Sequence, residues 1–341
     1  MQSIDGAEGG GQMLRTALAL AACTATPVEI TAIRGERPTP GLQAQHLAAV
    51  ELVASVCDAD VRGAELGSEA LEFRPGDEWA TTQSVDVGTA GSLTLLFDTV
   101  LPLATVVDEQ IVATATGGTD VKWSPAIDYY RRVKLPLLAR AGLAATVTVD
   151  RTGFYPAGGG NATLTASLCE LTPLTLDQRG ELAGVAIYSK ASDDLESASV
   201  AERQASHAAD RLAEENLPVV EQSAEYVPTH SPGSVIVLAG RYDHTTLGVD
   251  TLGERGVPSE SVADDAVDQF LRLHDAGSVV DPQMGDQLMV MLALAGGTVR
   301  IPRVTPHIET NLSVIEKFGL PLSLSEDEAG YRLHAPHQSQ R

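Results

Sequence analysis

An α+β fold is predicted by the order of elements along the 341-residue chain. Three related α-β-α-β-β units are expected, with a smaller α+β segment set between the second and the third. Two observations carry this reading. An apolar strand, a polar lead, a helix and a strand pair recur three times, each copy preceded by a helix. Residues about 180–276 then break the period.

The first unit opens with a helix over about 12–24, then VEITAIR (28–34), the lead ERPTP, a helix over about 40–57 and strands near 59–63 and 70–73. The second has a helix over about 90–104, QIVATAT (110–116), the lead GGTDVKWSP, a helix over about 125–141 and strands near 144–150 and 162–167. The third has a helix over about 283–295, GTVRIP (297–302), the lead RVTP, a helix over about 306–318 and strands near 321–325 and 330–334. Leu42, Leu47, Val50 and Val53 form an apolar stripe at helical spacing, as do Ile308, Leu312, Ile315 and Phe318. The interrupting segment reads as strand GVAIYS, helix 201–215, strands EQSAEYV and SVIVLAG, and helix 259–276. Two domains follow: residues 1–179 with 277–341, and an inserted small α+β domain at 180–276.

A hydrophobic content of 43% supports a core of that size. No long apolar span and no basic, apolar leader stand in the sequence, so a cytoplasmic, soluble chain without a membrane is expected. Cys23, Cys57 and Cys169 have no metal spacing and suggest no disulfide framework. The formal charge is −23, and the only lysines are Lys122, Lys134, Lys190 and Lys317. Such a halophilic composition fits work in very high salt, where charges are screened within about 3 Å at 1 M. Net charge describes the whole surface, so it does not exclude nucleic acid as a partner.

The stretch DGAEGGGQMLR (5–15) packs an acid, a glycine run and an arginine together. It lacks the Gly-Lys-Ser/Thr of a P-loop and the spacing of G-x-G-x-x-G. A tight turn before a helix is one reading. An anion or metal site is the other, because Gln12 and Arg15, three apart, share a helical face.

Arg37-Pro38-Thr39-Pro40-Gly41 and Arg303-Val304-Thr305-Pro306-His307 both read R-x-T-P ahead of a helix. Thr suits the N-cap and Pro the first helical residue. His307 is therefore expected in a first turn, where free N–H groups attract anions and favour the neutral, nucleophilic imidazole. His46, beside Gln45, is the second histidine candidate; His207, His230, His244 and His274 lie on polar stretches of the inserted segment and His334 and His337 in the tail, and all six read as solvated.

DGAEGGGQMLR, IRGERPTPGLQAQHL (33–47), GTAGS (88–92), GGTD (117–120), GFYPAGGG (153–160), LGERG (252–256), DQLMVMLALAGG (286–297) and PHIETNLSVIEKF (306–318) together, in order, resemble the RNA 3′-terminal phosphate cyclase family. The resemblance implies three repeats of a four-stranded sheet with two helices, plus a smaller inserted domain. It implies ATP as cosubstrate, a divalent metal (Mg or Mn), an RNA with a 3′-phosphate end as partner, and leaves a homodimer open.

In that family a histidine takes AMP from ATP, passes it to the RNA 3′-phosphate, and the 2′-hydroxyl closes a 2′,3′-cyclic phosphate. His307 matches the nucleophile, with Arg15, Arg37 and Glu8 as catalytic companions and Glu8 as metal contact. Asp286 and Gln287 match an ATP-contacting pair; Gln283, Met284 and Gly285 belong to the same stretch, Pro125 falls near the adenine, and Gln12 faces the phosphates. Arg34, Gln45 and His46 match polar residues lining the site on the substrate side.

The sequence departs from the family in a shorter glycine-rich opening, in Asp98 where the family has a nucleotide-side glutamine, and in Gln283 where an aromatic often stacks on adenine. Gly158 to Gly160 read as a turn. Two rival readings are a non-catalytic ribosome-assembly relative, which lacks the nucleophilic histidine, and an enolpyruvyl transferase, built from similar repeats.

Overall fold

The structure, a computed structural model, describes residues 1–168, 170–328 and 330–337; Cys169 lies outside the described residues. Strands β1 (Gln2–Asp5), β2 (Val28–Thr31), β3 (Asp60–Arg62) and β4 (Leu71–Arg74) form a sheet of order β1-β2-β4-β3, parallel between β1 and β2 and antiparallel elsewhere. Helices α1 (Gly11–Cys23) and α2 (Ala44–Val56) alternate with the first strands.

Next come β5 (Thr82–Asp86), α3 (Leu93–Val100) with a 3-10 extension Leu101–Thr105, and β6 (Ile111–Gly117). A helical run follows, made of α4 (Ile127–Tyr129), a π-helical turn Tyr130–Lys134 and α5 (Leu135–Ala139). Strands β7 (Leu143–Arg151) and β8 (Gly160–Leu168) complete a second sheet of order β5-β6-β8-β7, again with only its first pair parallel.

Strand β9 (Leu174–Leu176) waits for partners far along the chain. Before they arrive come β10 (Leu182–Ser192), α6 (Val200–Glu214), β11 (Val219–Val227), β12 (Ser234–Tyr242), β13 (Thr246–Leu252) and α7 (Ser259–Asp275), whose strands form a sheet of their own, β11-β10-β12-β13. Then α8 (Pro282–Gln287), α9 (Met289–Ala295), β14 (Gly297–Ile301), α10 (Pro306–Lys317), β15 (Ser323–Asp327) and β16 (Gly330–Ala335) follow. Strand β14 pairs parallel to β9 and antiparallel to β16, giving the order β15-β16-β14-β9.

The fold is thus mixed α+β with four four-stranded sheets. Three of them share one order, in which the fourth strand lies between the second and the third. The strands absent from the sequence reading are β1, β5, β9 and β13. Each is an edge strand, and three of them are short or polar, as edges that need not fill a core tend to be.

Alternation places the core. Ile111, Ala113 and Ala115 of β6 point inward. Along β10, Val185 and Ile187 join a cluster with Ala205, Ala208 and Phe270, whereas Ala186 and Tyr188 turn to the larger cluster on the other face. Helix α1 is buried from Ala17 to Ala22 and packs against α2, α3, α9 and α10. It is the central helix, so its first turn has a fixed position relative to its neighbours.

The helix after the first R-x-T-P starts later than expected. Arg34 Nη1 donates to the carbonyls of Thr39 (2.7 Å) and Gly41 (2.9 Å), and Gly41 has φ +75°. The chain turns there, and Gln43, not Thr39, caps α2. The third unit behaves as the sequence predicts: Thr305 Oγ1 accepts from Ile308 N at 3.3 Å, with Pro306 in the first turn.

Candidate active site

A cleft of about 1430 Å³ opens between the first turn of α1, the loop 34–46, the lead 121–125, the strand β13 and the helices α7, α8 and α10. His307 lies exposed at its wall, in the first turn of α10. Its imidazole is held below the usual histidine range by partial burial and by the positive charges of Arg15 and Arg37. All three side chains line the cleft, so a neutral imidazole faces a pair of guanidiniums. An unprotonated ring nitrogen has a free lone pair, and guanidiniums suit anions.

The glycine run makes this approach possible. A Cβ on Gly11 would lie 2.2 Å from His46 Nε2 and 3.2 Å from Arg15 Nη1; one on Gly10 would lie 3.5 Å from Arg37 Nη2. Any side chain at Gly11 would displace His46. The backbone N–H of Gln43 donates to His46 Nδ1 at 3.1 Å, and a peptide N–H has nothing but a donor to offer. His46 therefore carries its proton on Nε2. Its pKa falls to about 4, through burial first and then Arg15 and Arg34.

The cleft also has an acidic lining. Asp286 is buried, which pushes its carboxyl up to about 7 against the pull of Lys134, a hydrogen bond from Gln12 and the charge of Arg15. Asp281 caps α8, accepting from Gln283 N (3.0 Å) and Met284 N (2.9 Å), and also accepts from the Tyr129 hydroxyl. Asp250 accepts from Ala126 N at 2.7 Å and is likewise raised to about 7 by burial.

Asp98 on α3 is not a free carboxylate: Lys134 Nζ donates to it at 2.6 Å and to Gln287 Oε1 at 3.2 Å. Burial lowers the Lys134 pKa, and the charges of Asp98 and Asp286 oppose that shift.

Most residues singled out in the sequence meet in this one cleft: Gln12, Arg15, Arg34, Arg37, Gln45, His46, Asp98, Pro125, Gln283, Asp286, Gln287 and His307. Arg34 lines it while its guanidinium holds backbone carbonyls. Gln45 Oε1 accepts from Ser92 N at 3.4 Å. Met284 is fully buried, and Gly285 is packed so that a Cβ would meet Ile301 at 3.0 Å; neither lines the cleft. Glu8 is exposed and also stands outside the lining.

Among the described residues no group of three or more His, Cys, Asp or Glu side chains is placed to hold a metal ion. Sequence reasoning missed Lys134, Asp250, Asp281 and Arg303, all of which line the cleft. Asp281 had a legible signal, an Asp-Pro pair opening a helix. Lys134 had none. No helix among the described residues is long and apolar enough to cross a membrane.

A family model described as RNA 3′-terminal phosphate cyclase matches residues 6–320. The chain is similar to a curated protein of that name from Halobacterium salinarum, 45% identical over 341 residues and covering 97% of this chain and 98% of the relative. It is also similar to proteins of that name from Ralstonia nicotianae (41% over 330 residues, 94% and 92% covered) and Pyrococcus abyssi (40% over 321 residues, 93% and 93%). Among solved structures, the enolpyruvyl transferase NikO from Streptomyces tendae aligns with 98% of this chain and 48% of its own, at 12% identity and a TM-score of 0.38.

Proposed function

This chain belongs to the RNA 3′-terminal phosphate cyclase family, and we propose that it uses ATP to convert an RNA 3′-terminal phosphate into a 2′,3′-cyclic phosphate. The observation that carries the reading is His307: an imidazole kept neutral in the first turn of a helix, beside Arg15 and Arg37 in one cleft.

In the proposed sequence a His307 ring nitrogen attacks the α-phosphorus of ATP. A P–N bond forms, the bond to the bridging oxygen breaks, and pyrophosphate leaves. An oxygen of the RNA 3′-phosphate then attacks the same phosphorus and breaks the P–N bond, giving an RNA adenylate. Finally the 2′-hydroxyl loses its proton and attacks the 3′-phosphorus, and AMP departs. Transfers of this kind depend on positioning and charge neutralisation. Arg15 and Arg37 suit the phosphates, and Gln12, held to Asp286, lies at the start of the same wall.

Glu8, exposed at the glycine-rich opening, is assigned to a divalent ion that would arrive with the ATP phosphates and neutralise part of their charge. Gln283, Asp286, Gln287 and Pro125 are assigned to the nucleotide, and Gln45, His46 and Arg34 to the RNA side.

The three sheets of common order are read as copies of one unit, and residues 180–276 as an inserted domain within the third. A fifteen-residue apolar cluster lying wholly between Val185 and Phe270 supports the latter. The acidic, lysine-poor surface is read as adaptation to a salt-rich cytoplasm.

The deciding experiment incubates the protein with α-labelled ATP and divalent metal in high potassium chloride, without RNA. An acid-labile AMP label on the wild type and none on His307→Ala is expected. An unlabelled wild type under all salt and metal conditions would favour the non-catalytic relative instead.

A further inference from the structure

Lys134 stands where a lysine is costly to place. It is one of four in the chain, it closes the π-helical turn Tyr130–Lys134, and its side chain is 2% exposed. A helix turn with an extra residue reorients the side chains around it, and such turns concentrate at functional sites. Lys134 lines the cleft. Its Nζ reaches Asp98 Oδ1 at 2.6 Å and Gln287 Oε1 at 3.2 Å, and lies 5.3 Å from the centre of the Tyr130 ring.

Stability alone does not account for this. Desolvating both ions of a buried pair offsets most of their attraction, and an apolar pair of similar volume often does as well. The contact to Gln287 supplies another reason. An ammonium group has donors and no acceptor, so the Gln287 atom turned to it is the carbonyl oxygen. The carboxamide is thereby fixed, and its two N–H donors are the part left for a ligand. Without the cation, the carboxamide is free to flip and present its oxygen.

We infer that Lys134 is a positioning residue: paired with Asp98, it locks Gln287 so that the carboxamide N–H groups face the nucleotide. The inference rests on the reading of the cleft as an ATP site. The ligand atoms that suit it are acceptors, such as phosphate or ribose oxygens or ring nitrogens. It also accounts for the acid at position 98. Asp98 does not reach for the nucleotide; it holds the cation that orients Gln287.

The test measures ATP binding by calorimetry and adenylate labelling against ATP concentration, both in high potassium chloride, with thermal stability alongside. Lys134→Met is expected to weaken ATP binding about tenfold, the worth of one oriented hydrogen bond, and to raise the half-saturating ATP concentration more than it lowers the saturated labelling rate. Lys134→Arg, which still donates to both partners, is expected to recover the affinity. The double variant Asp98→Asn/Lys134→Met removes both buried charges; it should regain the stability lost in the single variant but not the affinity.

A double variant that regains both, or a Lys134→Met protein with unchanged affinity, overturns the inference. A wild type that binds ATP but takes no label overturns the histidine–adenylate reading, and the binding comparison then still decides the role of Lys134. A wild type that binds no ATP overturns both.

Discussion

Thr16 Oγ1 donates to Asn311 Oδ1 at 2.9 Å, and both side chains are buried. The Asn311 amide in turn reaches the Asp286 carbonyl at 3.5 Å. One short polar chain thus ties the helix that carries Arg15 to the helix that carries His307 and to the acidic wall. Thr16→Val keeps the shape and deletes the donor, leaving the Asn311 oxygen buried and unpaired. A loss of about 1–3 kcal/mol is expected by denaturant unfolding in high salt. The adenylation rate should fall with it, and Thr16→Ser should keep both.

Burial and then the two guanidiniums near His307 shape the acid side of its pH profile. Desolvation first, and the charges of Arg15 and Arg37 after it, disfavour imidazolium, so the neutral form persists below the ordinary histidine pKa of about 6.5. Removing one positive charge raises the His307 pKa. Arg37→Gln is therefore expected to move the acid limb of the labelling rate to higher pH, apart from any drop in its plateau. A limb that stays put would show that the limb does not report His307.

Gly11 is sterically committed. Its added Cβ would meet the His46 ring at 2.2 Å, and that ring is held by the Gln43 N–H. Gly11→Ala should cost about 1–3 kcal/mol, as overpacking does. Gly11→Ala/His46→Ala should recover most of it, because the obstructing ring is gone. Thermal melts of the wild type and the two variants check this.

Asp286 makes stability fall with rising pH. Its carboxyl titrates at about 7 in the folded chain and near 3.9 unfolded, so the folded state binds more protons across that window. The penalty begins as pH rises past 3.9 and is complete above 7. Asp286→Asn is expected to raise stability at pH 8, by an amount on the order of 1–3 kcal/mol, and to change it little at pH 4. His46 acts in the opposite direction: its pKa of about 4 removes stability as pH falls from about 6.5 toward 4.

How much of this was legible depends on how far each residue's role is set by its neighbours in sequence. His307 was legible because Thr305 and Pro306 fix a helix start locally, and the cap forms as expected. The matching Thr39-Pro40 misled because the turn at Gly41 is held by Arg34, outside the tripeptide itself. Arg15 and Gln12 were placed by helical spacing, and the motif order gathered them with Asp286 and His307. Lys134 was not legible. In YYRRVKLP it reads as a surface lysine, and its burial is decided by Asp98, 36 residues away, and Gln287, 153 away. The edge strands β1, β5 and β9 escaped for a related reason: their pairing is made by a partner strand, not by their own alternation.

The placement of the lysines has a consequence for handling the protein. Lys134 and Lys190 are buried, the latter paired to Asp128, whereas Lys122 and Lys317 are exposed. An amine-reactive dye or crosslinker acting on the folded chain therefore meets two lysine side chains and the terminal amine. One of the two, Lys122, is at the rim of the cleft, joined to Glu254 at 2.6 Å. Attachment chemistry that is nonspecific on most proteins becomes nearly site-directed here, with Lys122→Arg leaving Lys317 as the remaining side-chain handle, far along the chain on α10.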